Sequence, residues 1–277
     1  MDELIQWPKA KYWTKQWNPL IGCKPCSPAC QNCYAAAWAK RFGQSFRPHY
    51  SSQRMAPRSG VVFCGNMTDL FGDWLTEEQI NAVVAEAVRK ESEAKYLWLT
   101  KRPDRMVVAL RNGHVPLICK AAPDGDAPED VVALPFSETA STFRNQHYFG
   151  FTAESQYLYD TRMAAICELP DWANWWLSCE PLLEKIDLWL PAKTVKEDGT
   201  RFTKKPSWVV VGCESGPGRR SCKIEWVENI VEECKIANVP VFVKQLSING
   251  RCETDINKFP AHLRIRQIPW AKEVDNA

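Results

Sequence analysis

Six short apolar runs punctuate the chain, and none of them alternates with polar residues. They are Val61-Val62-Phe63-Cys64, Tyr96-Leu97-Trp98-Leu99-Thr100, Tyr148-Phe149-Gly150-Phe151-Thr152, Trp175-Trp176-Leu177-Ser178-Cys179, Trp208-Val209-Val210-Val211-Gly212 and Val241-Phe242-Val243. Each has the length of a strand, and strands that read this way are buried on both faces. Residues 11–17 are a weaker candidate. Helical patterns fill the gaps. Thr76-Glu77-Glu78-Gln79 is a capping box that opens a segment with Ile80, Val83, Val84 and Val88 along one side. Residues 157–169 and 224–237 also show helical spacing. Strands alternating with helices predict a parallel sheet, and six or seven such units suit a full or partial α/β barrel. Its ligands would sit at the C-terminal ends of the strands.

Those ends are polar. The runs are followed by Gly65-Asn66-Met67-Thr68-Asp69, Lys101-Arg102-Pro103, Ala153-Glu154-Ser155, Glu180-Pro181, Cys213-Glu214-Ser215-Gly216-Pro217-Gly218 and Lys244-Gln245. Six polar ends in register on one rim predict a ligand site. For any single glutamate the plainer role is to favour a helix dipole. The glycine-rich turn is not a phosphate loop of the Walker type, since no Gly-Lys-Ser/Thr follows.

Four cysteines crowd residues 22–34: Cys23, Cys26, Cys30 and Cys33. Clustered thiols in a reducing compartment share a metal more often than a disulfide. Two spacings are present. Cys26, Cys30 and Cys33 form C-x3-C-x2-C, and Cys23, Cys30 and Cys33 form C-x6-C-x2-C. Three thiolates on a four-iron cluster leave one iron open to a small molecule, whereas four close the site around zinc or a cluster. The zinc alternative is a non-enzymatic nucleic-acid module. All-thiolate zinc sites usually draw two pairs from separate segments.

Composition narrows the field. A chain of 277 residues buries a core without needing metal to hold it together. A formal charge of +2 excludes gripping nucleic acid by overall basicity, though not through a local basic groove. No apolar run reaches the ~20 residues of a membrane span, and the start of the chain lacks a signal peptide's apolar core. The expectation is one domain over residues 1–277, in the cytoplasm. Residues 121–142, rich in Pro, Asp, Ala and Ser, read as a loop insertion, either a surface excursion or a lid. Residues 193–205 read as a solvated connection and 247–277 as a C-terminal extension. Most of the eight remaining cysteines read as small buried residues. Trp98, Trp175 and Trp176 suit core packing better than stacking on a base.

Several blocks together resemble a known family. Trp17-Asn18-Pro19, Gly22-Cys23, Ser27-Pro28, Cys30 and Asn32-Cys33-Tyr34 are similar to the signature of a radical-SAM-like family borne by phages and prophages and known for its three-cysteine motif. Met67-Thr68-Asp69-Leu70-Phe71, Leu99-Thr100-Lys101-Arg102-Pro103, Leu177-Ser178-Cys179-Glu180-Pro181-Leu182-Leu183, the turn at 212–218 and Val243-Lys244-Gln245 continue the likeness in the family's order.

The resemblance implies a partial (β/α)6-type radical-SAM barrel with parallel strands, a 4Fe–4S cluster and S-adenosyl-L-methionine. Within it Cys23, Cys30 and Cys33 are the expected cluster ligands. Asn66, Thr68 and Asp69 would meet the methionine amino group, Glu154 the ribose and Arg162 the carboxylate. Glu180, Glu214 and Lys244 would bind or deprotonate substrate, away from the cysteine loop. The implied activity generates a 5′-deoxyadenosyl radical, with an electron donor as partner. The phage setting implies a nucleotide or DNA base as substrate, as in thymidine hypermodification by an isomerase.

Overall fold

The computed structural model describes residues 10–53, 55–88, 92–112, 114–118, 131–135, 145–188 and 205–270. Its centre is an eight-stranded sheet. In chain order the strands among the described residues are β1 (Lys15–Trp17), β2 (Leu20–Ile21), β3 (His49–Tyr50), β4 (Val61–Cys64), β5 (Lys95–Thr100), β6 (His114–Ile118), β7 (Val131–Pro135), β8 (His147–Thr152), β9 (Asn174–Cys179), β10 (Trp208–Gly212), β11 (Val241–Ile248) and β12 (Arg251–Glu253). The large sheet runs β1-β4-β5-β8-β9-β10-β11-β12, and only β12 is antiparallel. Spatial order follows chain order, so each parallel strand joins the one before it.

Among the described residues five helices accompany the strands: α1 (Tyr34–Arg41), α2 (Glu77–Ala87), α3 (Pro103–Asn112), α4 (Gln156–Ile166) and α5 (Ile224–Ile236). The capping box forms: Thr76 accepts from the Gln79 amide, and the Gln79 side chain accepts from the Thr76 amide. In α5, Val227, Ile230, Val231 and Cys234 are buried at helical spacing. These stripes and the outward side chains Val62, Trp98, Phe149, Trp175, Val209 and Val243 form one core.

The alternate side chains make a second core on the opposite, concave face: Val61, Phe63, Leu97, Tyr148, Trp176, Trp208, Val210 and Phe242. The sheet is strongly curled. Strands β4 and β11 lie five places apart, which is about 24 Å in a flat sheet. Yet the Tyr12 ring is 6.0 Å from Phe63 and 5.5 Å from Phe242. Tyr12 plugs the hollow together with Trp270 and Ile268. Gly150 is needed here, because a β-carbon would meet the Trp176 indole at 2.4 Å. Trp98, Trp175 and Trp176 are all core residues.

One expectation needs correction. Within 121–142, residues 131–135 are strand β7, paired antiparallel with β6; the rest of that stretch lies outside the described residues, as does 193–204. Residues 247–270, within the stretch read as a C-terminal extension, pack on the sheet. Strand β11 continues to Ile248, and the Ile265 carbonyl accepts from the Val243 amide. Arg266 is buried, and its guanidinium lies between the Phe242 and Phe259 rings. A sheet edge needs hydrogen-bond partners, and this segment supplies them.

Candidate functional site

Strand alternation places Ser178, Gly212 and Lys244 on the concave face, one layer above Trp176, Val210 and Phe242. The cysteine loop is tied to this rim at four places. At the first, Gly22 pairs with Thr68 in a parallel bridge; the Gly22 amide donates to Met67 O at 3.0 Å, and Thr68 Oγ1 donates to Gly22 O at 2.6 Å. Gly22 has φ +95, and a β-carbon there would lie 2.3 Å from the Arg47 carbonyl.

The second tie runs through Asp69. Thr100 Oγ1 donates to its Oδ1 at 2.6 Å, while the Lys101 amide at 3.1 Å and Arg102 Nη1 at 3.0 Å donate to Oδ2. Arg102 then reaches Lys24 O at 3.1 Å and lies over the Trp74 ring. The third is Glu154, which is fully buried. Ser27 Oγ donates to its Oε1 at 2.6 Å, Lys101 pairs with the same oxygen, and Arg162 Nη1 holds Oε2 at 2.5 Å. Burial alone would raise the Glu154 pKa, but Lys101 and Arg162 outweigh it and hold the carboxyl below its ordinary value.

The fourth tie is Glu214, and it corrects the sequence reading: this residue is joined to the cysteine loop rather than set apart from it. Asn32 Nδ2 donates to Oε2 at 2.9 Å, as do the Arg220 amide at 2.8 Å and Nε at 3.0 Å. Arg220 Nη1 also donates to Pro28 O at 3.1 Å. Against the opposing effect of burial, Arg220 and Asn32 hold the Glu214 pKa down.

Glu180 and Lys244 stand differently. Lys244 Nζ is 2.8 Å from Glu180 Oε2, so the lysine pairs with Glu180 rather than Glu214. The ammonium lies 5.6 Å from the Tyr12 ring centroid and 5.7 Å from that of Trp13. The Tyr12 hydroxyl is hydrogen-bonded to Glu180, and burial first, then the Glu180 charge, raises its pKa. Asn66 Oδ1 and Ser178 Oγ, buried polar atoms on the rim, have no hydrogen-bond partner among the described residues. The Asn66 carbonyl oxygen is taken by the Tyr34 hydroxyl.

The four clustered thiols are free. The Cys26 amide donates to Cys30 Sγ at 3.5 Å, and Ser27 Oγ lies 3.6 Å from it. The Cys26 thiol lowers the Cys30 pKa to about 4 by hydrogen bonding, with burial opposing and Lys101 assisting. Burial raises Cys23 to about 12, aided by Asp69 and more weakly by repulsion from Cys30 and Cys33. Cys23, Cys30 and Cys33 therefore share one neighbourhood. Among the described residues no three His, Cys, Asp or Glu side chains are placed to hold a single metal ion. In a four-iron cluster each thiolate binds a different iron, so its ligands need not converge on one point. Three soft donors, with the unsatisfied Asn66 oxygen on the same rim, fit such a group and a small ligand beside it.

Sequence reasoning missed Ser27, Asn32, Lys101, Arg102 and Arg220 as partners, and Tyr12 and Trp13 as the floor under Lys244. Lys101-Arg102 was visible as a polar strand end, but nothing local marks Tyr12. Among the described residues no helix is long and apolar enough to cross a membrane. No curated protein and no solved structure matches the chain. Over residues 7–258 it matches the family described as a protein of unknown function (DUF5131), and it belongs to that family.

Proposed function

We propose that this chain is a radical S-adenosyl-L-methionine enzyme, built as a partial (β/α)6-type barrel, with Cys23, Cys30 and Cys33 as ligands of a 4Fe–4S cluster. When bound and reduced, that cluster supplies the electron that cleaves the cofactor to methionine and a 5′-deoxyadenosyl radical able to take a hydrogen atom from substrate. One observation carries this reading: the cysteine loop is tied to four strand-end segments, so its thiols stand at the rim of the concave face beside Asn66.

Asn66 Oδ1 supplies an acceptor for an ammonium group, and Thr68 and Asp69 hold that corner by fixing Gly22 and Arg102. Glu154 is fully occupied. It and Arg162 contribute to cofactor binding through Lys101, which they and Ser27 hold in place and whose remaining donor meets a ribose or carboxylate oxygen. Glu214 keeps the loop closed through Asn32 and Arg220. Lys244, over Tyr12 and Trp13, pairs with an anionic group of the substrate, while Glu180 takes or holds a proton. The motif resemblance favours a nucleotide or DNA base as substrate and a rearrangement as the reaction, with an external electron donor.

Anaerobic reconstitution with ferrous iron and sulfide tests the reading. A brown protein should form that cleaves S-adenosyl-L-methionine in dithionite. Cys30→Ala and Cys33→Ala should lose iron, and Cys26→Ala should keep it. Lys244→Ala should keep the iron and slow cofactor cleavage but lose substrate-dependent turnover. A colourless protein holding zinc on all four cysteines would replace this reading with a zinc module.

A further inference from the structure

Four of the exposed aromatic side chains gather beside the cysteine loop: Tyr34 (55 %), Trp38 (44 %), Phe42 (56 %) and Tyr50 (42 %). Aromatic residues elsewhere in the described protein are mostly core, as Trp98 at 1 % illustrates. Tyr34, Trp38 and Phe42 recur every fourth residue and form one stripe along α1 and the residue that caps it. Toward the protein the helix buries only Ala35 and Ala39. At 1.5 Å per residue the stripe is about 12 Å long, the height of three to four bases stacked at ~3.4 Å. The Trp38 and Phe42 ring centroids are 4.8 Å apart, and the Arg41 guanidinium lies 5.9 Å from the Phe42 ring.

The segment that carries the stripe has charge of one sign. Residues 4–68 contain nine Lys or Arg and no Asp or Glu, a formal +9, so the rest of a chain with net charge +2 carries −7. Of these cations, Lys24, Lys40, Arg41 and Arg47 are exposed; Lys40 and Arg41 lie in the last turn of α1, Arg47 follows it, and Lys24 lies in the cysteine loop over the Trp74 ring. None of the four has a carboxylate partner among the described residues, whereas Lys101, Arg102, Arg162, Arg220 and Lys244 on the rim all do.

We propose that α1 and the turn after it are a docking platform for single-stranded nucleic acid. Unneutralised cations draw a polyanion. Rings that no core has claimed offer stacking faces to unpaired bases, which is how strands are held without sequence readout. A protein interface would be depleted in lysine and would not need charge of one sign. The stripe also leads to the site: Tyr34 follows Cys33, and its hydroxyl donates to the Asn66 carbonyl. A strand laid along α1 therefore reaches the rim. This goes beyond the activity proposed above, since the platform binds the polymer whether or not a cluster is present.

Fluorescence anisotropy with the full chain and a labelled oligothymidylate of about 12 nucleotides, within the site sizes of such surfaces, tests the platform. Binding should weaken as salt rises, and a duplex of equal length should bind at least tenfold more weakly. The double variant Trp38→Ala, Phe42→Ala should lose at least tenfold in affinity. Lys40→Gln with Arg41→Gln should flatten the salt dependence. Both pairs are exposed, so circular dichroism should be unchanged, as should iron content and cofactor cleavage after reconstitution. No binding by the unaltered chain, equal affinity for duplex and single strand, or unaltered affinity in the aromatic double variant would overturn the proposal. So would self-association through α1, seen as a dimer in light scattering that the aromatic variant dissolves. Loss of cofactor cleavage in the unaltered chain would instead count against the enzyme reading alone.

Discussion

Glu154 and Glu180 follow neighbouring strands, β8 and β9, yet they occupy opposite kinds of environment. Glu154 is sealed from solvent, and both its oxygens are claimed by Ser27, Lys101 and Arg162. Glu180 has one cation, Lys244, and that cation is 23 % exposed on a floor of two aromatic rings. A buried carboxylate survives only if its charge is met by several donors. Once they are in place the residue belongs to the frame. A carboxylate with a single cationic partner at a hollow's mouth can exchange that cation for a ligand. The same rim thus carries a structural glutamate, which sets the cysteine loop, and an available one facing the hollow.

The largest expected effect tests the first half of the contrast. Glu154→Ala leaves Arg162 and Lys101 without their counter-charge and should cost about 3–5 kcal/mol in urea unfolding. Glu180→Ala should cost about 1–3 kcal/mol, because Lys244 can turn toward water. Equal losses would erase the distinction.

Acid sharpens it next. Glu154 and Glu214 both titrate below their ordinary value when folded. Their contribution is therefore complete above the unfolded glutamate pKa of about 4.3 and is lost as pH falls through the lower folded values. The melting temperature of the cluster-free protein should decline below about pH 4.3. Glu154→Gln, already weaker at neutral pH, should decline less over that range; a parallel curve would mean that Glu154 does not carry the linkage.

The smallest effect concerns the loop's far tie. Asn32→Ala removes one donor to Glu214, which keeps Arg220, and should cost about 1 kcal/mol. A loss as large as that of Glu154→Ala would show that the loop depends on its glycine-rich side instead.

Much of the frame was legible because burial on both faces leaves a local mark. Val61–Cys64 and Trp208–Gly212 are strands to the residue, and Thr76 caps α2 as its box predicts. Strand β7 was hidden because Val131-Val132-Ala133-Leu134 sits inside a stretch whose Pro, Asp and Ser dominate the local signal. The packing of the end of the chain was hidden for another reason: Ile268 and Trp270 look like scattered apolar residues until the sheet curls over them.

The site divides the same way. That strand-end Asn66, Asp69, Glu154, Glu180, Glu214 and Lys244 would share a rim followed from the alternation of strands and helices, which is written in neighbouring residues. Who pairs with whom did not. Ser27 meets Glu154 across 127 residues and Asn32 meets Glu214 across 182. Such pairs exist because curvature brings β4 and β11 around Tyr12 and lays the cysteine loop over their ends. The sequence by itself determined the strands, the helices and the polar rim, since each depends on contacts a few residues apart. Only the tertiary structure decided which carboxylates became frame and which stayed open, since that depends on burial and on cations delivered from distant segments.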